Sequence, residues 1–543
     1  MHVSALAAIL LVVVASSPVS AQSAAGAQLL PGMGDYSHPI QTTSPEAQTY
    51  FDQGMALLYN FNHAEAERSF LKAAELDPTA PMPWWGVGIA LGLNYNRDVT
   101  KLEGERLTRA CDAAQKAVAL SRGGSPVEAA LAQALATRYS RDPNADPTVL
   151  NAQYREAMRQ AYARYPDDPE VGTLYADAVM NLRPWQLWGT DGTPGPDTLE
   201  LVKVLEAVLR RHPNHPGANH YYVHAVEASP TPERALASAT RLETLVPGAG
   251  HLVHMPTHIY IHTGHISRVA ELNAKAAAAD ERYIAVAKPE GVYPFMYYGH
   301  NVHFVVVGNI LIGRYEDALK AGEQMAGLVA PHVADMGPMV EWALSLPTLA
   351  HVRFHKWDAI LSAPRPPESQ PLARSFDHYA RTLALQMTGK ASQARIEAAA
   401  FESTRATVPP ETLVVSFNNA PAILSMVSHL LRGQMAASAD QAVAHLEMAA
   451  AAQDALTYDE PEPWPWSVRE TLGAVLLKAG RAAEAERVFR KDLEKNPASG
   501  RTLFGLTKSL EAQGRTAEAA IVRREFDQAW KQATSTLSAD ALF

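Results

Sequence analysis

The sequence predicts an all-α fold: a right-handed superhelix of antiparallel helix pairs, an α-solenoid. Three observations predict it. The chain has 543 residues, too many for one compact core and ordinary for a stack of repeats. A spacing of small residues and one large ring recurs near both ends, as Gly54, Ala66, Phe70, Ala73 and Pro78 and again as Gly473, Ala485, Phe489 and Pro497. The dipeptide Gly480-Arg481 returns 34 residues later as Gly514-Arg515, and Ala485 returns as Ala519.

That spacing is the tetratricopeptide pattern, with Gly at position 8, Ala at 20 and 27, Phe at 24 and Pro at 32 of a 34-residue unit. Its physics is direct. The small residues let two helices approach closely, the ring fills the gap between them, and the proline ends the second helix.

Taken in order, residues 1–21 carry a short apolar run, Ala5 to Val14, and then Val19-Ser20-Ala21. This reads as a secretory signal peptide cut after Ala21 and implies a periplasmic or secreted protein. The run is shorter than the roughly 20 apolar residues of a membrane span, and no other stretch is long and apolar enough. Residues 22–45, rich in Ala, Gly, Ser, Thr and Pro, read as a flexible linker. Repeats follow as an N-terminal block 46–210, a histidine-rich central block 211–335 and a C-terminal block 336–543, with Arg183 to Pro196 as a loop insertion.

A formal charge of −10 argues against a nucleic-acid partner, which favours a basic face. Cys111 is the only cysteine, so an exported chain has no internal disulfide, and a thiolate metal cluster is excluded.

The central block holds the chemistry. His251, His254, His258, His262 and His265 fall within fifteen residues. On a helix each residue turns by about 100°, so such spacing returns to one face. Pro256 fits a helix start and Gly264 a helix stop. A row of imidazoles makes a poor apolar core and a good metal face.

In the repeat register, Ala235, Ala270 and Ala318 take position 20 of successive units. Three successive first helices then each present a histidine pair at or beside the groove-facing positions: His220 with His224, His254 with His258, and His300 with His303. Six imidazoles suffice for two three-coordinate ions or for one saturated ion. An all-imidazole set suits copper, zinc or iron; export points to copper or zinc, and copper is the favoured expectation. Glu227, one turn beyond His224, is placed to orient a ligand or move protons, and Tyr260 to donate beside the row.

The segments FDQGMALLYNFNHAEAERSF, HPGANHYYVHAVEASP, GAGHLVHMPTHIYIHTGH and YPFMYYGHNVHF resemble a group of exported bacterial tetratricopeptide-repeat proteins, mostly of unassigned function. The resemblance covers nearly the whole mature chain. It implies the helical fold and export, and a pattern through His220, His224, Glu227, His254, His258, Tyr260, His300, Asn301 and His303.

The expected function is a transition-metal site in the concave groove of the solenoid, serving a metal-dependent oxidoreductase in preference to a hydrolase. The groove is expected to hold a small-molecule or peptide ligand. The competing expectation is a periplasmic scaffold that binds a protein or peptide and uses its histidines structurally. Phe376 to Tyr379 offers a further histidine, His378. The acidic, proline-broken segment Tyr458 to Trp466 reads as an exposed connection rather than a lid. No Walker loop, GxSxG elbow or HExxH helix is present.

Overall fold

Prolines mark the helix starts. In the computed structural model, which describes residues 27–96, 102–289, 293–538 and Leu542, helices open at Pro45, Pro81, Pro126, Pro147, Pro169 and Pro216. Proline is preset for the first helical turn, where its missing N–H costs nothing. Ser44, Ser125, Asp146 and Asp168 cap four of these helices, each side chain accepting a backbone N–H of the first turn. The signal peptide assigned to residues 1–21 lies outside the described residues.

The chain divides into two compact units, Met1–Pro230 with Thr240–Leu252 and Thr231–Ala239 with Val253–Phe543. The histidine-rich block 211–335 is therefore shared between them. The fold class of the chain is the tetratricopeptide-like α-solenoid of helix pairs.

In the first unit the helices of the described residues from Pro45–Tyr59 to Pro216–Val226 pack each against the next. The repeat spacing acts here as expected. Phe70 is buried between Gly54 and Gly86, and a Cβ at either glycine would stand 2.4 Å from its ring. The helix Pro45–Tyr59 also meets the helix Pro216–Val226. Gly217 permits that contact, since a Cβ there would lie 2.3 Å from the Tyr59 ring.

Residues 27–44 are not a loose linker. Gln53 accepts the Leu30 N–H, Gln48 the Ile40 N–H and Glu128 the Gln41 N–H, while Gly248 donates to the Gly32 carbonyl. The polar composition that suggested flexibility supplies backbone that buried side chains hold. Arg183 to Pro196 is a helix-free insertion, as expected, tied down by Trp188 Nε1 donating to the Ala225 carbonyl at 2.8 Å.

The second unit repeats the scheme. Phe489 stands between Gly473 and Gly505, where a Cβ on either would lie 2.3 Å from the ring. Two two-residue strands, Leu413–Val414 and Asn418–Asn419, pair antiparallel. The segment Tyr458 to Trp466 is not an exposed connection. Asp459, Glu460 and Trp464 are buried. Asp459 accepts the Ser416 and Phe417 N–H groups, and Trp464 packs on Phe376 and Tyr379. Its acidic groups find internal donors, so polarity here does not mean exposure. No helix among the described residues is long and apolar enough to cross a membrane.

Truncating Phe489 to Ala leaves a void between two backbones that cannot close it. This is expected to cost about 3–5 kcal/mol, read as a shift of the denaturant midpoint for the second unit.

Candidate metal centre

Two sets of three histidines come together, one in each unit. In the first unit His220 and His224 project from the helix Pro216–Val226, and His251 from the helix Gly250–His254. All three are buried. Their ring centres are 4.9 Å apart for His220 and His224, 4.8 Å for His220 and His251, and 6.2 Å for His224 and His251. In the second unit the set is His254, His258 and His300, with centres 4.7, 4.7 and 6.0 Å apart. His254 and His258 are buried and His300 is half-buried.

These separations match coordination. An imidazole bound through a 2.0–2.1 Å bond puts its ring centre about 3.2 Å from the ion, so two rings on one ion stand about 4.5–6.4 Å apart. Within each set, one ligand nitrogen from each residue lies within 4.8 Å of the others. The tightest approaches are Nε2 to Nε2: 3.1 Å for His251 and His220, and 2.7 Å for His254 and His258.

The hydrogen bonds fix which nitrogen is available. The Tyr59 carbonyl lies 2.6 Å from His220 Nδ1 and can only accept, so Nδ1 carries the proton. Glu227 Oε1 does the same for His224 Nδ1 at 2.9 Å. Asn273 Oδ1 lies 2.6 Å from His254 Nδ1. The Asn273 amide nitrogen already donates to Thr257 Oγ1 and the Val269 carbonyl, which leaves its oxygen to face the ring. In all three rings Nε2 therefore holds a lone pair directed into its set. This is the arrangement by which outer groups orient metal-binding histidines.

Local structure places these anchors. Tyr59 ends the first helix, and Asn60 Oδ1 accepts the Leu252 N–H at 3.1 Å, which fixes the segment bearing His251. The Tyr59 hydroxyl donates to Glu170, as does that of Tyr36. Burial alone would raise the pKa of Glu170, but the adjoining His215, with His38 and the Tyr36 hydrogen bond, holds it at about 2. Aromatic rings enclose both sets. Phe61 stacks on His224 and His251, and Tyr95 and Trp185 border His224. Phe304 stacks on His258 and meets His254 and His300 edge-on. Such a shell excludes water and strengthens every charge interaction inside it.

The row of five histidines is split. Pro256 opens a second short helix, Pro256–His262, and Gly264 with φ of +78° ends the segment, as the sequence indicated. His251 joins the first set and His254 and His258 the second. His262 turns to Glu460 at 2.6 Å. His265 lies beside Tyr260, their ring centres 5.4 Å apart.

His303 belongs to neither set. It packs against Trp342 at 4.6 Å, and burial lowers its pKa to about 3. His300 and His303 are about 60° apart around the helix Gly299–Leu311, and His303 is turned to Trp342 while His300 alone of the pair reaches the set. His378 pairs with Glu397 at 2.7 Å. Asn301 donates to Asp280, which also accepts from Tyr293 at 2.8 Å, bracing the helix that carries His300. Sequence reasoning did not find Asn273, Tyr59 or Phe61, since each acts from another segment with no spacing of its own.

No protein-family model matches the chain, and no curated protein matches it. Among solved structures, the human IFIT1 dimer with m7Gppp-AAAA is similar at 12% identity and a TM-score of 0.32, over 91% of this chain and 92% of that one. The human IFIT1 dimer with PPP-AAAA is similar at 12% identity and a TM-score of 0.29, with the same coverage. The ligands named there belong to IFIT1.

Asp280 yields a pH prediction. Burial raises its pKa from the usual carboxylate range to about 7. The folded state therefore keeps a proton that the unfolded state has lost. Stability should fall as pH rises from about 4 to about 7 and level off above. Asp280→Asn should remove that slope, measured by denaturant unfolding across the range.

Proposed function

We propose that this chain is an exported tetratricopeptide-like solenoid that holds transition-metal ions on its two three-histidine faces. Copper is preferred, with zinc and iron the alternatives. The carrying observation is the directed lone pair: in each set the Nδ1 of at least one ring is committed to an acceptor, so its Nε2 points among its neighbours. A polar core needs its histidines satisfied, but it does not need three separation-matched rings with lone pairs aimed among them by acceptors on other segments.

The ligands are His220, His224 and His251 in the first unit, and His254, His258 and His300 in the second. His251 takes the place that the sequence gave to His303. Glu227 orients His224 and raises its basicity; Asn273 orients His254. Tyr260 keeps no assigned role in the chemistry. A three-imidazole copper centre supplies activation of dioxygen or water. The enclosing aromatic rings keep bulk water from that chemistry, and a small substrate is the fitting class. The resemblance to exported bacterial proteins and the signal-like residues 1–21 support a periplasmic or secreted location.

Without an ion, the proton on His251 Nε2 or His258 Nε2 bridges to its partner's lone pair. Binding displaces or moves that proton, so affinity should fall as pH is lowered.

Elemental analysis of the purified mature protein tests the proposal. Copper, zinc or iron is expected in stoichiometric amount, with His224→Ala and His254→Ala each removing the ion of its own unit. Glu227→Gln should weaken binding in the first unit by about 10–100-fold. A protein that is metal-free, cannot be loaded and captures a peptide would instead establish the scaffold function.

A further inference from the structure

We propose that His429 and His445 form a separate, solvent-reachable site for a divalent transition metal, Cu2+ or Zn2+, independent of the two triads. The helices Ala420–Met435 and Ala439–Asp454 are antiparallel neighbours joined by three residues. His429 and His445 face each other between them. Their ring centres are 5.8 Å apart and their planes 33° apart. That separation falls within the window of about 4.5–6.4 Å for two imidazoles on one ion.

Both rings are partly exposed, yet the Nδ1 atom of each is buried and has no hydrogen-bond partner. Buried ring nitrogens are ordinarily satisfied, so a facing pair of orphaned ones marks a position where a ligand completes the structure.

An entry path is present. His445 lines an open groove of 520 Å³, with Glu402, Arg432, Met435 and Gln441 on its walls. The Glu402 carboxylate is engaged by Ser428 Oγ at 2.5 Å, Arg405 Nε at 2.6 Å and Arg432 at 3.1 Å. It is committed to those partners, so an ion on the two imidazoles completes its shell with water or with a small donor entering from the groove. Two neutral nitrogens and open positions make a labile site, and among divalent ions Cu2+ binds such a set most tightly. The structure thus assigns this pair to reversible capture of metal at the surface, in contrast to the enclosed triads.

The test adds Cu2+ to the full-length protein and to a His429→Gln, His445→Gln double variant, and compares the number of ions bound and the Cu2+ paramagnetic resonance spectrum. The wild type should hold one more ion than the variant. That extra ion should show nitrogen hyperfine coupling and leave on dialysis against a mild chelator. Equal ion counts and identical spectra would overturn the proposal. The difference is read whether or not the triads hold metal: if they hold none, the wild type should still bind one labile ion and the variant none. Circular dichroism confirms folding. Should the double variant unfold, His445→Gln alone, whose ring borders the groove, decides by the same count.

Discussion

A buried imidazole has two nitrogens to place, and placing one decides the other. This constraint organises the centre of the molecule. Each helix pair delivers rings at a spacing set by backbone geometry, but the direction of each lone pair is set by an acceptor on another segment. For His220 that acceptor is the end of the first helix, 161 residues earlier in sequence. For His254 it is an asparagine 19 residues later in sequence. The solenoid matters because close helix approach brings these acceptors within reach, and close approach in turn needs the glycines that face Phe70, Phe489 and Tyr59.

The repeat frame was legible in the sequence because its signal is steric and local. Gly54, Phe70, Gly473 and Phe489 stand at fixed offsets, and each does in three dimensions what the offset requires. The break in the histidine segment was legible for the same reason, since Pro256 and Gly264 act on their own backbone. The site was legible only in part. Residue type and helical spacing pointed to His220, His224, His254, His258 and His300. They did not separate His300 from His303, because the choice depends on where Asp280 and Asn301 hold the start of that helix. Nor did they assign His251 to His220, a pairing across 31 residues that no helical period encodes.

Two segments show why composition misleads about order. Residues 27–44 and 458–466 look like loose connections by their Gly, Pro, Ser and acidic content. Both are held by hydrogen bonds from buried side chains or to buried carboxylates. A polar group is expelled from an interior only when it lacks a partner, and partners from other helices are invisible along the chain.

The acceptor for His220 has one more property. It is a main-chain oxygen, so no replacement of the side chain at position 59 can delete it. Glu227 and Asn273, which aim His224 and His254, are side chains that a single codon change removes. The orientation of one ring is thus insulated from drift in the gene, whereas its counterparts must be kept by purifying selection. Divergent descendants of this chain would be expected to lose the aim of those two rings before that of His220.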